Sequence, residues 1–83
     1  MQPDERDAAY LWDMAEAARE VHAMVDQIAA DEFLADRILL RATERCIEII
    51  GESARRVSSD FQARHPEIPW RIIIGQRNIL AHE

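Results

Sequence analysis

The sequence predicts an all-α protein built as an antiparallel helical bundle. Aliphatic residues recur at helical spacing along two long stretches, and the same spacing begins again after Trp70. Only two glycines and three prolines interrupt 83 residues, while 48% of the residues are hydrophobic. A chain of this length can form a single hydrophobic core, which is only marginally large enough to stabilise it. We therefore expect one helical domain over residues 1–83.

The first helix is predicted to run from about Asp4 to about Ala30. Pro3, Asp4 and Glu5 suit a helix start, because proline fits the first turn and acids favour the N-terminal end of the helix dipole. One apolar stripe then advances in steps of three and four residues. It consists of Leu11, Met14, Ala18, Val21, Val25 and Ile28.

Residues 30–36 are predicted to connect this helix to a second one, with Asp31 or Asp36 as its N-cap. The apolar face of the second helix is wide enough to contact more than one neighbour, including a second protomer. Gly51 in its middle predicts the close approach of another helix. The face consists of Ile38, Leu39, Ala42, Cys46, Ile47, Ile49, Ile50, Ser53, Ala54 and Val57.

Pro66 and Pro69 exclude a continuous helix and predict that a third helix begins at Trp70, a core residue. Gly75 is a candidate kink in it. The helical pattern still runs at Glu83, and three helices leave one side of a bundle open. We expect that a last helix is missing and that the chain is a C-terminally truncated part of a longer protein; alternatively, a partner covers that side.

Charge and cysteine content restrict the classes of function. The net charge of −6 argues against nucleic-acid binding through bulk charge. Residues 1–36 carry ten acids and two arginines, net −8, whereas residues 37–83 carry eight arginines and six acids, net +2. Any polyanion site is therefore expected in the second half. Cys46 is expected to be a buried, reduced thiol, and no signal peptide or membrane span is apparent, which predicts a soluble cytoplasmic protein without membrane partners.

The last seven residues combine groups suited to RNA cleavage. The imidazole of His82 titrates near neutrality and can move a proton, and the guanidinium of Arg77 can hold a phosphate. Asn78 shares a helical face with His82. Arg77 and His82 lie about 140° apart on an unbroken helix, so a working pair needs a kink, a helix end or two protomers. The ordinary alternative is a solvated arginine and a histidine favoured by the helix dipole.

Other chemistry has little support in the sequence. Glu44, Glu48 and Glu52 form a carboxylate row without the histidines of a di-iron site, so a solvated face paired with arginines is expected. Glu52 stands beside Gly51 at the predicted close crossing, where it is a candidate contact for Arg77. We expect no metal and no cofactor.

Three linked stretches resemble the HepT-like proteins of the HEPN superfamily, and their order and spacing match over residues 5–83. The stretches are Ile49-Ile50-Gly51-Glu52-Ser53-Ala54, then Ile68-Pro69-Trp70-Arg71 with Ile74-Gly75, and finally Arg77-Asn78-Ile79-Leu80-Ala81-His82-Glu83.

The resemblance implies a metal-independent endoribonuclease that acts as the toxin of a HepT/MntA-type toxin–antitoxin system. Two protomers would form a homodimer whose Arg-x4-His motifs meet in a cleft. Arg77 would bind the scissile phosphate of a tRNA or mRNA, His82 would act as general acid and base, and Asn78 would support them, with Glu52 as a further supporting residue.

The implied antitoxin is an MntA-type nucleotidyltransferase that transfers AMP to a tyrosine two residues after the histidine. That tyrosine would be residue 84, one position beyond Glu83. A chain that truly ended at Glu83 would be expected to be inactive. The alternative function is a non-catalytic helical module for dimerisation or for binding a nucleotidyltransferase, and a third is nucleotide binding in the cleft.

Overall fold

The computed structural model of this chain describes residues 5–81, with side chains for residues 5–76. Five helices account for most of this span and no strand occurs in it, which confirms the all-α prediction. Three of the helices are long, and the other two are short helices in the connections between them. They are α1 (Glu5–Val25), α2 (Ala30–Ala35), α3 (Arg37–Arg56), α4 (Ser59–Arg64) and α5 (Trp70–Ala81).

Helices α1 and α3 pack side by side in opposite directions. Near the start of α1, Asp7 bonds to Ser58, just after the end of α3. Near the end of α1, Glu20 meets Cys46 in the middle of α3. The residue number thus rises along α1 as it falls along α3, which confirms the antiparallel arrangement of these two helices.

The core lies where α1, α3 and α5 meet. Ala54, Val57 and Trp70 are buried there. The indole Nε1 of Trp70 donates a hydrogen bond of 3.0 Å to the carbonyl of His65, so the polar edge of the ring is satisfied. Trp70 is the core residue that the sequence predicted. Around this centre pack Tyr10, Leu11, Met14, Phe61, Ile68, Ile73 and Ile74.

The predicted end of the first helix was wrong by about five residues. Helix α1 ends at Val25, and Gln27 has φ of 63°, in the left-handed region that ends helices. Ile28 donates to the carbonyl of Val25 across this turn. Ile28 is half-buried, so the apolar spacing continues through the turn even though the helix does not. The predicted connection over residues 30–36 contains the short helix α2.

Side-chain caps define the other boundaries. Asp36 accepts a hydrogen bond of 3.0 Å from the Leu39 N–H at the start of α3, which confirms one of the two predicted caps; Asp31 lies inside α2. Ser58 caps α4 through a 3.2 Å bond from the Phe61 N–H. Helix α5 remains helical through Gly75, where an added Cβ would meet no atom within 4 Å.

The buried face of α3 is made of small side chains, whereas some of its large apolar ones are exposed. Gly51 is buried, as the predicted close approach requires, and Ile38 is 84% exposed. Buried α3 residues are Thr43, Cys46, Gly51, Ser53 and Ala54. Within the described helices, none combines the length and the apolar character needed to cross a membrane.

Candidate functional site

The predicted catalytic motif lies at the C-terminal end of α5. Arg77 and Asn78 are on helical backbone, since α5 continues to Ala81. Their side chains, and His82 as a whole, lie outside the described residues. The helical rise places the Arg77 backbone about 10 Å, and that of Ala81 about 16 Å, along the axis from Trp70. The backbone of residues 77–81 thus lies along α5 beyond Trp70, and the roles of the motif residues stay predictions.

Glu52 is held by two arginines of its own helix. Its Oε1 accepts 2.8 Å bonds from Arg55 Nη2 and Arg56 Nε, and its Oε2 lies 3.4 Å from Arg55 Nε. Hydrogen bonding to Glu52 is the main reason that the pKa of both arginines is raised. The predicted contact between Glu52 and the side chain of Arg77 lies outside the described residues.

The carboxylate row on α3 is a solvated face, as predicted. Glu44 lies 3.5 Å from Arg41, and Glu48 lies 3.5 Å from Arg45. Both arginines are more than 70% exposed, so these pairs contribute little to stability. Across the part of the chain that is described, no three His, Cys, Asp or Glu side chains converge as a metal site would require.

Cys46 is a buried free thiol. Its Sγ lies 3.6 Å from Glu20 Oε2. Burial, and then the carboxylate of Glu20, raise the pKa of the Cys46 thiol, so that the thiolate is disfavoured. A catalytic cysteine needs the opposite shift. The prediction that Cys46 is buried is therefore confirmed.

A second cluster of polar groups lies between the start of α1 and the end of α3, and the sequence did not reveal it. A surface groove of about 300 Å³ is lined by Arg6, Asp7, Tyr10, Arg56 and Ser58. Asp7 and Ser58 are separated by 51 residues. No local pattern brings such residues together; only the antiparallel register of α1 and α3 does.

Comparison with known proteins identifies similarity along most of the chain. A family model described as "Ribonuclease HepT-like" matches residues 14–83. A protein of Methanocaldococcus jannaschii named "Putative RNase MJ1380" is 37% identical over 90% of this chain and 69% of its own length. "Probable ribonuclease HepT" of Thermococcus cleftensis is 40% identical over 88% of this chain and 66% of its own length. No solved structure matches the chain.

The chain spans only part of these relatives. It covers about two thirds of the length of the two proteins above. A third relative, "Putative RNase TTE0752" of Caldanaerobacter subterraneus, is 39% identical over 71% of this chain and 53% of its own length. The similarity includes α3, α5 and the motif at the end of α5, since the family model extends to residue 83.

Proposed function

This chain belongs to the ribonuclease HepT-like family, and on that premise we propose that it acts as a metal-independent endoribonuclease, the toxin of a HepT/MntA-type toxin–antitoxin system. The observation that carries the proposal is the family match over residues 14–83, which includes the Arg-x4-His spacing of residues 77–82. The chemistry of these two side chains is sufficient for RNA cleavage without a metal ion.

The proposed reaction uses the RNA's own 2′-hydroxyl as nucleophile. His82 takes the proton of that hydroxyl, whose oxygen forms a bond to the adjacent phosphorus. The bond from phosphorus to the 5′-oxygen breaks, and an imidazolium returns a proton to the leaving oxygen. The products are a 2′,3′-cyclic phosphate and a 5′-hydroxyl. Arg77 binds the phosphate and stabilises the charge that develops on it.

Two further residues have supporting roles in this proposal. Asn78 lies four residues before His82, where helical spacing allows its amide to orient the imidazole or to bind a phosphate oxygen. Glu52 fixes two arginines on the helix against which α5 packs. Because an unbroken helix would separate Arg77 from His82 around its axis, we propose that the working cleft is formed by two protomers.

The proposed partners follow from the family. A homodimer would use exposed apolar residues, of which Ile38 and Ile72 are 84% and 65% exposed. The antitoxin would be an MntA-type nucleotidyltransferase acting on a tyrosine two residues after His82. The substrate would be tRNA or mRNA.

The second candidate is a non-catalytic module for dimerisation or for binding a nucleotidyltransferase. It is favoured by the exposure of four large apolar side chains among residues 5–76, whose side chains are described. They are Trp12, Leu34, Ile38 and Ile72. Exposed apolar groups suit protein contacts, and they serve this candidate and the catalytic dimer alike.

The deciding experiment is cleavage of tRNA and of a generic RNA in EDTA by the wild-type protein, His82→Ala and Arg77→Ala. We expect cleavage by the wild type and its loss in both variants. The loss should exceed about a hundredfold for each, as for removal of a general base or of an oxyanion-stabilising group. If neither this chain nor one extended past Glu83 cleaves RNA while the dimer is intact, the binding module is favoured instead; cleavage by the extended chain alone would make truncation the explanation.

A further inference from the structure

We propose that the groove between α1 and α3 is a second phosphate-binding subsite for the RNA strand, with Arg6 and Arg56 as its ligands and Tyr10 as its wall. This inference rests on the proposed function, because it places part of the same RNA substrate. It adds a binding element outside the motif of residues 77–82.

Two guanidinium groups line the groove. Among the described residues Arg6 forms no hydrogen bond or close ion pair, and its charge contributes, after the hydrogen bonds from Ser58, to the lowered pKa of Asp7. Arg56 donates through its Nε to Glu52 and also interacts with the Tyr10 hydroxyl. Guanidinium groups are suited to phosphate because two parallel N–H bonds match two phosphate oxygens.

The acidic residue in the groove offsets only part of this charge. Both oxygens of Asp7 are already hydrogen-bonded to Ser58, at 2.8 Å from the backbone nitrogen and 2.6 Å from Oγ, and the residue is only 5% exposed. Arg55 adds a third guanidinium beside Glu52. Among these five groups, three arginines against two carboxylates leave a net charge of +1 in a protein whose overall charge is −6.

Tyr10 gives the groove a rigid wall. Its ring is half-buried against the core, while its hydroxyl is close enough to Arg56 to contribute, after Glu52, to the raised pKa of that guanidinium. Aromatic rings and arginines together are the usual components of surfaces that bind single-stranded nucleic acid.

The position of the groove is compatible with one strand contacting both sites. Asp7 and Ser58 place it at the end of the bundle where Trp70 begins α5. The backbone of residues 77–81 lies on the order of 10 to 16 Å from Trp70 along α5, from the helical rise. A short RNA strand that is bound at the motif and runs towards the start of α5 can therefore also contact the groove.

The test is binding of a fluorescent 2′-O-methyl RNA, which lacks the attacking hydroxyl, measured by anisotropy between 50 and 200 mM salt. We expect Arg6→Gln and Arg56→Gln each to weaken binding by roughly three- to tenfold and to reduce the salt slope by about 0.7, the value for one lost phosphate contact on a single strand. Glu52→Gln should act in the opposite direction, because it frees Arg55 and Arg56. Arg37→Gln is the matched control, since Arg37 is an exposed arginine at the far end of α3.

A dinucleotide carries one bridging phosphate and cannot occupy both sites at once. We expect its binding at the motif to be unaffected by Arg6→Gln. Equal losses in Arg6→Gln, Arg56→Gln and Arg37→Gln would overturn the subsite, and His82-dependent cleavage in EDTA would still stand. If AMP competes for the Arg6-dependent binding as effectively as unlabelled RNA does, the groove is a site for a free nucleotide, and the RNA subsite is also overturned. Absence of both RNA binding and cleavage would reject the subsite together with the proposed function.

Discussion

The carboxylate of Asp7 joins the first turn of α1 to Ser58, the N-cap residue of α4. Its two oxygens accept hydrogen bonds from the backbone nitrogen and the Oγ of Ser58, and the same Oγ accepts from the Phe61 N–H. Ser58 therefore caps one helix while it is itself held by another. This arrangement fixes the register of α1 against α3 at the end of the bundle that contains the core.

Loss of the Ser58 hydroxyl should destabilise the protein. Ser58→Ala removes the cap of α4 and one bond to Asp7, and we expect a loss of at least about 1 kcal/mol, typical of an N-cap. For a domain of this size this corresponds to a fall in Tm of roughly 4–8 °C. Thermal unfolding followed by circular dichroism measures it. Ser59→Ala, one residue on and exposed, is the control and should change Tm little.

The pH dependence of stability should depend on Asp7. Hydrogen bonds from Ser58 lower the pKa of Asp7 in the folded protein below its ordinary value of about 3.9. The ionised carboxylate thus stabilises the fold above that value, and this contribution disappears as the pH falls through the folded-state pKa.

Asp7→Asn should therefore lower stability at pH 7 and flatten its decline below about pH 4. Urea unfolding at several pH values from 7 to 3 measures both effects. Asp13→Asn changes an exposed acid of the same helix and provides the comparison. The same acid-range slope in Asp7→Asn as in the wild type would contradict the assignment.

Truncation to alanine should reduce stability strongly at Trp70 and hardly at all at Trp12. Trp70 is 8% exposed at the core centre, whereas Trp12 is 61% exposed. We expect Trp70→Ala to cost about 3–5 kcal/mol, which can unfold a domain of this size. Trp70→Phe, which keeps most of the ring but loses the bond to His65, should retain the fold at lower Tm. Trp12→Ala should fall within about 0.5 kcal/mol of the wild type, and a larger effect would place Trp12 in a protein contact.

The thiol of Cys46 should be protected in the folded protein. Burial removes access, and the raised pKa lowers the thiolate fraction, so reaction with a disulfide reagent at pH 8 should be at least about a hundredfold slower than in denaturant. Ser59→Cys, made together with Cys46→Ser, supplies an exposed thiol for reference. Comparable rates for the two positions would show that α1 does not cover α3 at Glu20.

The sequence by itself determined the helical class and the starts of α3 and α5. The apolar spacing over α3, the cap Asp36 and the break at Pro66 and Pro69 are each encoded within a few residues. Local hydrogen bonding and backbone restriction decide them without reference to the rest of the chain. The letters of the motif at residues 77–82 are likewise a property of the sequence, and the family match includes them.

The tertiary structure decided where α1 ends and which residues meet across helices. The stripe through Ile28 resembled a continuing helix, because a residue in a turn can bury an apolar side chain at the same spacing. Contacts between Asp7 and Ser58, and between Glu20 and Cys46, span 51 and 26 residues. Such contacts depend on the relative register of packed helices, which no local pattern specifies. The groove of Arg6, Tyr10 and Arg56 exists only because that register is fixed.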